Sequence, residues 1–253
     1  MIQAPIHSDT TQEIGNDVDL AAVSFDVDGQ QILHDITFKT NAARVGIVGR
    51  NGSGKSTLAR ILAGLITPTS GVVRVNGHNL AKDRRAALAE VGILFQNPDH
   101  QIIFPTVIEE LSFGLTQTGQ SDPDAAGMAQ ETLNQFNKSH WRDANISTLS
   151  QGQKHLVCLM SVVAMAPKLL ILDEPFAGLD IPTKTQLNRY LSHYSGSLLH
   201  ITHDPADLQS YDHLIWLDQG AVQETGPCDQ LLKSYQEKMN LIGGQDDISD
   251  LSD

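Results

Sequence analysis

The sequence predicts an α/β fold: a parallel sheet covered by helices on both faces, preceded by antiparallel hairpins and interrupted by a helical insertion. Three observations predict it. Short apolar runs at 43–48, 91–95, 168–172, 197–202 and 214–217 have the character of strands buried on both faces. Helical patterns separate most of them, and strand–helix–strand alternation builds parallel sheets. From 97 to about 166 the character changes, with Asp, Gln, Ser and Ala dominating three helical stretches.

The elements follow in order. Residues 18–27 and 30–39 flank Asp28-Gly29, a dipeptide that tolerates the positive φ of a tight hairpin turn. Ala43–Val48 is the first buried strand. A glycine-rich turn follows, then a helix from Thr57 to about Leu65. Val72–Val75 and His78–Leu80 flank Asn76-Gly77 as a second hairpin, and Val91–Phe95 is another strand. The insertion carries helices near 107–114, 124–138 and 151–166. Its apolar run Leu156–Ala166 is 11 residues, interrupted by Ser161. A bilayer span needs about 20 residues, so this is a buried helix. The last three apolar runs are strands joined by helical connections. Gln245–Asp253 is an acidic tail expected to be disordered.

Composition excludes several classes. With 40% apolar and 19% charged residues, the chain of 253 residues is globular. Its 30 acidic and 17 basic residues give a net charge of -13, which argues against nucleic acid as a partner. Seven of the acids lie in 1–17 and 240–253, where there is no Lys or Arg. Two cysteines, Cys158 and Cys228, cannot build a disulfide framework and are expected as buried thiols in a reducing compartment. The N-terminal residues lack the basic-then-apolar pattern of a signal peptide, so none is expected.

Gly49-Arg50-Asn51-Gly52-Ser53-Gly54-Lys55-Ser56 fits G-x-x-x-x-G-K-[ST] without mismatch, between a predicted strand and a predicted helix that Thr57 begins. Its glycines let successive N–H groups face one concavity, which binds anionic phosphate. The helix adds its positive N-terminal dipole. Lys55 is expected to reach the β- and γ-phosphates, and Ser56 offers a hard oxygen to Mg²⁺. Farther on, Leu169–Pro175 places Asp173 and Glu174 just past an apolar strand. Ligands of open α/β sheets bind beyond such carboxyl ends. Asp173 is suited to hold Mg²⁺, and Glu174 to act as general base on the attacking water. Two adjacent carboxylates beside phosphates imply a cation.

Leu149-Ser150-Gln151-Gly152-Gln153 closely resembles the LSGGQ signature of ABC ATPases, and it lies just before the Asp173–Glu174 strand. Gln96 resembles the family's Q-loop glutamine, Ala177–Asp180 its D-loop, and Ile201–Asp204 its switch-histidine region. The resemblance covers about 18–240. It implies a P-loop NTPase with a RecA-like mixed-sheet core at 18–98 and 167–240, a helical subdomain at 99–166, and tails at 1–17 and 241–253. It also implies two cassettes sandwiching two ATP molecules head to tail. The phosphate loop of one subunit then faces Ser150, Gln151, Gly152 and Gln153 of the other. His203 would hold Glu174 and the water in place, Gln96 would approach Mg²⁺ and the water, and Asp180 would line the interface and also cap a helix. Two positions depart from the family: Gln151 stands where Gly is usual, and Val27 where an aromatic often stacks on adenine. Phe25, on the same strand face, is expected in the core.

The stretch Phe95–Gln101 and Pro105–Gly114 resembles the ATPases of energy-coupling factor (ECF) importers. That resemblance implies an ATP-hydrolysing motor, a second ABC ATPase subunit that makes a homodimer, and two membrane partners. These are a transmembrane coupling subunit, accepted near Ile102, Ile103, Phe104 and Val107, and a substrate-binding subunit. The place would be the cytoplasmic face of a bacterial inner membrane. The likeness favours biotin importers, with cobalt or nickel importers next and a soluble non-transport ABC protein as a third reading.

Overall fold

In a computed structural model, residues 15–243 are described. Strands β1 (Val18–Val27) and β2 (Gln30–Thr40) form the expected hairpin. Asp28 and Gly29 turn it with φ of 50° and 81°. β3 (Arg44–Val48) leads into α1 (Lys55–Leu62). β4 (Ser70–Val75) and β5 (His78–Asn79) form the second hairpin. Then come α2 (Arg84–Glu90) and β6 (Val91–Leu94). The insertion holds α3 (Val107–Gln117), α4 (Asp122–Gln135) and α5 (Gln151–Ala164). β7 (Leu169–Asp173), α6 (Ile181–Ser192), β8 (Ser197–Ile201), β9 (His213–Asp218), β10 (Ala221–Pro227) and α7 (Cys228–Gly243) complete the chain.

Two sheets result. One is antiparallel, in the order β2-β1-β4-β5. The other has the order β10-β9-β3-β8-β7-β6, parallel except for its edge strand β10. The period-two alternation of strands explains the layers. On β7, Leu169 and Ile171 pack into a core shared with the antiparallel sheet and α1, including Leu20, Val23, Leu58 and Ile61. Leu170 and Leu172 point to the other face, onto Leu111, Leu133, Val157 and Leu159 of the insertion and Leu187 of α6. The runs are continuously apolar because both faces are covered.

Several elements differ from expectation. α2, β10 and α7 were not anticipated, and the link between β8 and β9 is a single 3-10 turn at Pro205–Leu208, not a full helix. Asp204 caps that turn by accepting the Ala206 N–H at 3.0 Å, and Pro205 follows it at once. β10 alternates weakly because, as an edge strand, it leaves Gln223, Glu224 and Thr225 exposed. Asn16 lies within the stretch expected as tail, yet its N–H donates to Ser197 Oγ at 3.0 Å and its side chain to the Lys168 carbonyl at 2.6 Å. α7 likewise runs past 240 to Gly243. The expected tails otherwise fall on 1–14 and 244–253, outside the described residues. Cys158 and Cys228 are both buried free thiols. Among the described residues no helix is long and apolar enough to cross a membrane.

Candidate active site

The carboxyl ends of β3, β7 and β8 build the site. β3 ends in the fully buried Val48, and the chain turns sharply through residues 49–54 into α1. Glycine is required at two points. A Cβ on Gly49 would lie 2.0 Å from the Leu217 carbonyl oxygen. Gly54 has φ of 94°, and a Cβ there would meet Leu33 Cδ2 at 2.6 Å. The turn between β9 and β10 braces the loop, with the Gly220 N–H donating to the Ser53 carbonyl at 3.2 Å. Lys55 is 5% exposed, and its ammonium donates to the Gly49 and Arg50 carbonyls at 2.8 and 2.9 Å. Burial lowers its pKa, against the pull of Glu174 and Asp173. Ser53 Oγ is buried without a partner. A buried cation, an orphaned hydroxyl and a helix N-terminus facing one concavity suit an anionic phosphate chain.

Ser56 Oγ donates to Asp173 Oδ1 at 3.0 Å. Asp173 is 5% exposed, and desolvation pushes its carboxyl pKa up despite that hydrogen bond. A divalent cation would relieve the cost, and these two hard oxygens fit Mg²⁺. Among the described residues no group of three His, Cys, Asp or Glu side chains is placed to hold a metal. A cation here would therefore share its shell with phosphate oxygens and water, the usual manner for Mg²⁺.

Glu174 leaves β7 with φ of 50°, a left-handed conformation that costs about 1–2 kcal/mol for a side-chain-bearing residue. Its N–H is fixed by the Ile201 carbonyl of β8 at 2.9 Å. The turn swings its carboxylate out of the strand, where Oε2 lies 3.1 Å from His203 Nδ1. The loop, Gln96, Glu174 and His203 line one cleft of about 1040 Å³.

The cleft also includes Ile32 and Tyr235, which the sequence reading missed. The base contact was expected at Val27, which is 45% exposed and is not among the lining residues. Ile32, on the facing strand of the same hairpin, is. Tyr235 comes from α7, packed edge-on against Trp216 at 5.5 Å between centroids. Phe25 packs against the core as expected.

The signature residues and Asp180 form a second cluster, outside that lining. Ser150 caps α5: its Oγ accepts the Gln153 N–H at 3.3 Å, and Gln153 Oε1 accepts the Ser150 N–H at 2.8 Å. This reciprocal box fixes the first turn. A Cβ on Gly152 would meet Thr183 Cγ2 at 2.6 Å, so glycine lets α5 approach the start of α6. Asp180 caps α6 by accepting the Thr183 N–H at 3.0 Å. Gln151 turns its amide to Asp99 Oδ2 at 3.3 Å.

An apolar cleft of about 290 Å³ lies elsewhere, between the end of α1, α2, β6, α3 and α5. Ile103, Leu65 and Leu88 are 67%, 55% and 40% exposed around it. Of the apolar residues read as groove or core, Val107 is core, Ile102 packs against it, and Phe104 lies tilted against Phe113 with ring centroids 5.0 Å apart. The buried Glu110 accepts the Ile103 and Phe104 N–H groups, each at 2.9 Å, and so holds Ile103 at the rim.

Comparison with known proteins points to one family. Residues 33–177 match a family model described as ABC transporter. The chain is 42% identical over 225 residues to the biotin transport ATP-binding protein BioM of Rhodobacter capsulatus, covering 89% of this chain and 96% of that one. It is 34% identical to the energy-coupling factor transporter ATP-binding protein EcfA1 of Lacticaseibacillus paracasei, covering 84% of this chain and 78% of the relative. Among solved structures, cbiO1 of Clostridium perfringens, part of the ABC transporter complex cbiONQ, superposes with a TM-score of 0.71 at 27% identity. That likeness covers 88% of this chain and 94% of cbiO1.

Proposed function

The chain belongs to the ABC transporter family of ATP-binding proteins, which hydrolyse ATP, and from that premise we propose that it is the motor of an ECF-type importer that takes up biotin through separate membrane subunits. The observation that carries the reading is the convergence of the phosphate loop, the Ser56–Asp173 pair and the Glu174–His203 pair on one side of the sheet. Biotin rests on the likeness to a protein named for biotin transport.

In this reading the loop amides and Lys55 bind the β- and γ-phosphates of ATP, and the α1 dipole adds to the attraction. Ser56, Asp173 and Gln96 would hold Mg²⁺, which supplies charge neutralisation of the transferring phosphoryl group. Glu174 accepts the proton of the attacking water, and His203 orients its carboxylate. Ile32 and Tyr235 flank the nucleotide. Ser150 and Gly152 present the N-terminus of α5 to the ATP of a second, identical subunit, and Asp180 lines the interface. ATP contacts both subunits, so it favours closure, and loss of the γ-phosphate releases them.

The apolar cleft around Ile103 takes the coupling segment of a transmembrane subunit at the cytoplasmic face of a bacterial inner membrane. The test is uptake of labelled biotin by cells expressing this chain together with a transmembrane coupling subunit and a biotin-binding membrane subunit. Loss of uptake in the Glu174→Gln variant, with biotin binding to the membrane subunit retained, supports the reading. Uptake independent of this chain overturns it.

A further inference from the structure

Asp99 follows Gln96 by three residues, in the 3-10 turn Pro98–His100 that leaves β6. Its carboxylate reaches the start of α5 with both oxygens. Oδ1 lies 2.7 Å from Lys154 Nζ, and Oδ2 accepts the Gln151 side-chain amide at 3.3 Å. The lysine side chain is 17% exposed and the aspartate 47%, so the pair is partly shielded from water. Behind it, Pro98 is buried, and its carbonyl lies 3.9 Å from Cys158 Sγ on the same helix. The turn is thus fastened along α5 at Gln151, Lys154 and Cys158, over about two helical turns. An anion at a helix N-terminus is favoured by the dipole as well. Gln151 is the position where the ABC signature usually has glycine, and glycine has no side chain to reach Asp99.

We infer that Asp99 is a positioning residue that locks the Gln96 segment to the signature helix, so that the two move as one body. The inference rests on the ATPase reading above. In the head-to-tail arrangement, Gln96 serves the nucleotide of its own subunit and Ser150 that of the partner. The Asp99 clamp therefore links the two nucleotide sites through one chain. Occupancy sensed at Gln96 shifts the capped end of α5 without loss through a flexible joint.

The test is steady-state ATP hydrolysis by the purified full chain with Mg-ATP, alongside equilibrium binding of a fluorescent ATP analogue and thermal unfolding. In Asp99→Ala, kcat is expected to fall about two- to fivefold, the scale of losing a solvent-accessible charged pair. The Hill coefficient should fall towards 1, with analogue affinity and melting temperature unchanged. Asp99→Lys and Lys154→Asp should each be impaired, and the double variant should recover most of the rate and cooperativity. Gln151→Gly, which cuts only one tie, should fall between wild type and Asp99→Ala. Wild-type rate and cooperativity in Asp99→Ala would overturn the clamp while leaving the ATPase reading intact. So would a rate loss that merely follows a lowered melting temperature without recovery in the charge swap. Failure of the wild-type chain to hydrolyse ATP would instead overturn the ATPase reading, and the clamp with it.

Discussion

His203 Nδ1 and Glu174 Oε2 lie 3.1 Å apart, each one or two residues past the end of a parallel strand. Strands β7 and β8 are in register, with Asp173 opposite Ile201. The pairing itself therefore sets the reach between the two side chains. The left-handed Glu174 is pinned at its own N–H, so the carboxylate has little freedom to drift from the histidine.

Glu174→Gln should keep ATP binding and lose hydrolysis by at least about a hundredfold, the usual scale for a general base. With Mg-ATP the variant should elute as a dimer in sizing chromatography, because in the proposed head-to-tail arrangement the γ-phosphate holds the interface and is not removed. A monomeric, fully active variant would refute the role given to Glu174. His203→Ala should lose a similar factor. The double variant should be little worse than either single one, since the two act as a unit.

Gly49→Ala places a methyl group 2.0 Å from the Leu217 carbonyl, a backbone atom that cannot step aside. Expected are a lowered melting temperature and loss of nucleotide binding together. Gly52→Ala meets nothing within 4 Å and suffers only from its φ of 77°. Its cost should stay near 1–2 kcal/mol. Calorimetry of the two variants separates collision from backbone strain.

The parts of this site legible in the sequence were those whose chemistry demands particular residues at fixed spacing: the glycines and Lys55 of the loop, Asp173–Glu174, Ser150–Gln153. The sheet was legible where both strand faces are buried, as in Leu169–Asp173. Edge strand β10 and helix α2 bury too few apolar side chains for a clear period. α7 is different. Its buried residues Cys228, Leu231, Leu232 and Tyr235 fall at i, i+3, i+4 and i+7, a readable helical stripe in a polar segment. That Tyr235 reaches the nucleotide cleft was not readable, because it depends on β9 setting Trp216 beside Val48, where the Tyr235 ring packs against it.

Tyr235→Ala should therefore do two things at once. Removing a ring that is 5% exposed leaves a cavity against Trp216, at a cost of about 3–5 kcal/mol. ATP affinity should fall as well, because Tyr235 lines the nucleotide cleft. Tyr235→Phe keeps the ring and should restore most of the stability. A titration in which both variants bind ATP like wild type would remove Tyr235 from the site.

His200 is 2% exposed, with Nδ1 3.0 Å from the Tyr211 hydroxyl and Nε2 unpartnered. Burial depresses its pKa to about 3. The unfolded chain takes up the proton near pH 6.5, while the folded chain resists it. Above pH 6.5 neither state is charged and stability is unaffected. As pH falls towards 3, the unfolded state is favoured by about 1.4 kcal/mol per unit. His200→Gln should flatten that acid-side slope in denaturant titrations between pH 6 and 4. An unchanged slope would mean that other groups carry the acid sensitivity.

Ile103→Glu tests the apolar cleft as a docking surface. The side chain is 67% exposed, so the charge costs the isolated chain little, within about 0.5 kcal/mol. ATP binding should be unchanged, because Ile103 does not line the nucleotide cleft. Co-purification with the membrane subunits should fail, since a carboxylate would be buried unpaired against an apolar segment. Glu110→Ala provides an independent route to the same end. It leaves the Ile103 and Phe104 amides without their acceptor, a loss of about 1–3 kcal/mol, and frees the rim without altering its apolar surface. If both variants still assembled with the membrane subunits, the docking face would lie elsewhere. If only Ile103→Glu failed, the partner would read the apolar surface itself and tolerate a loosened rim.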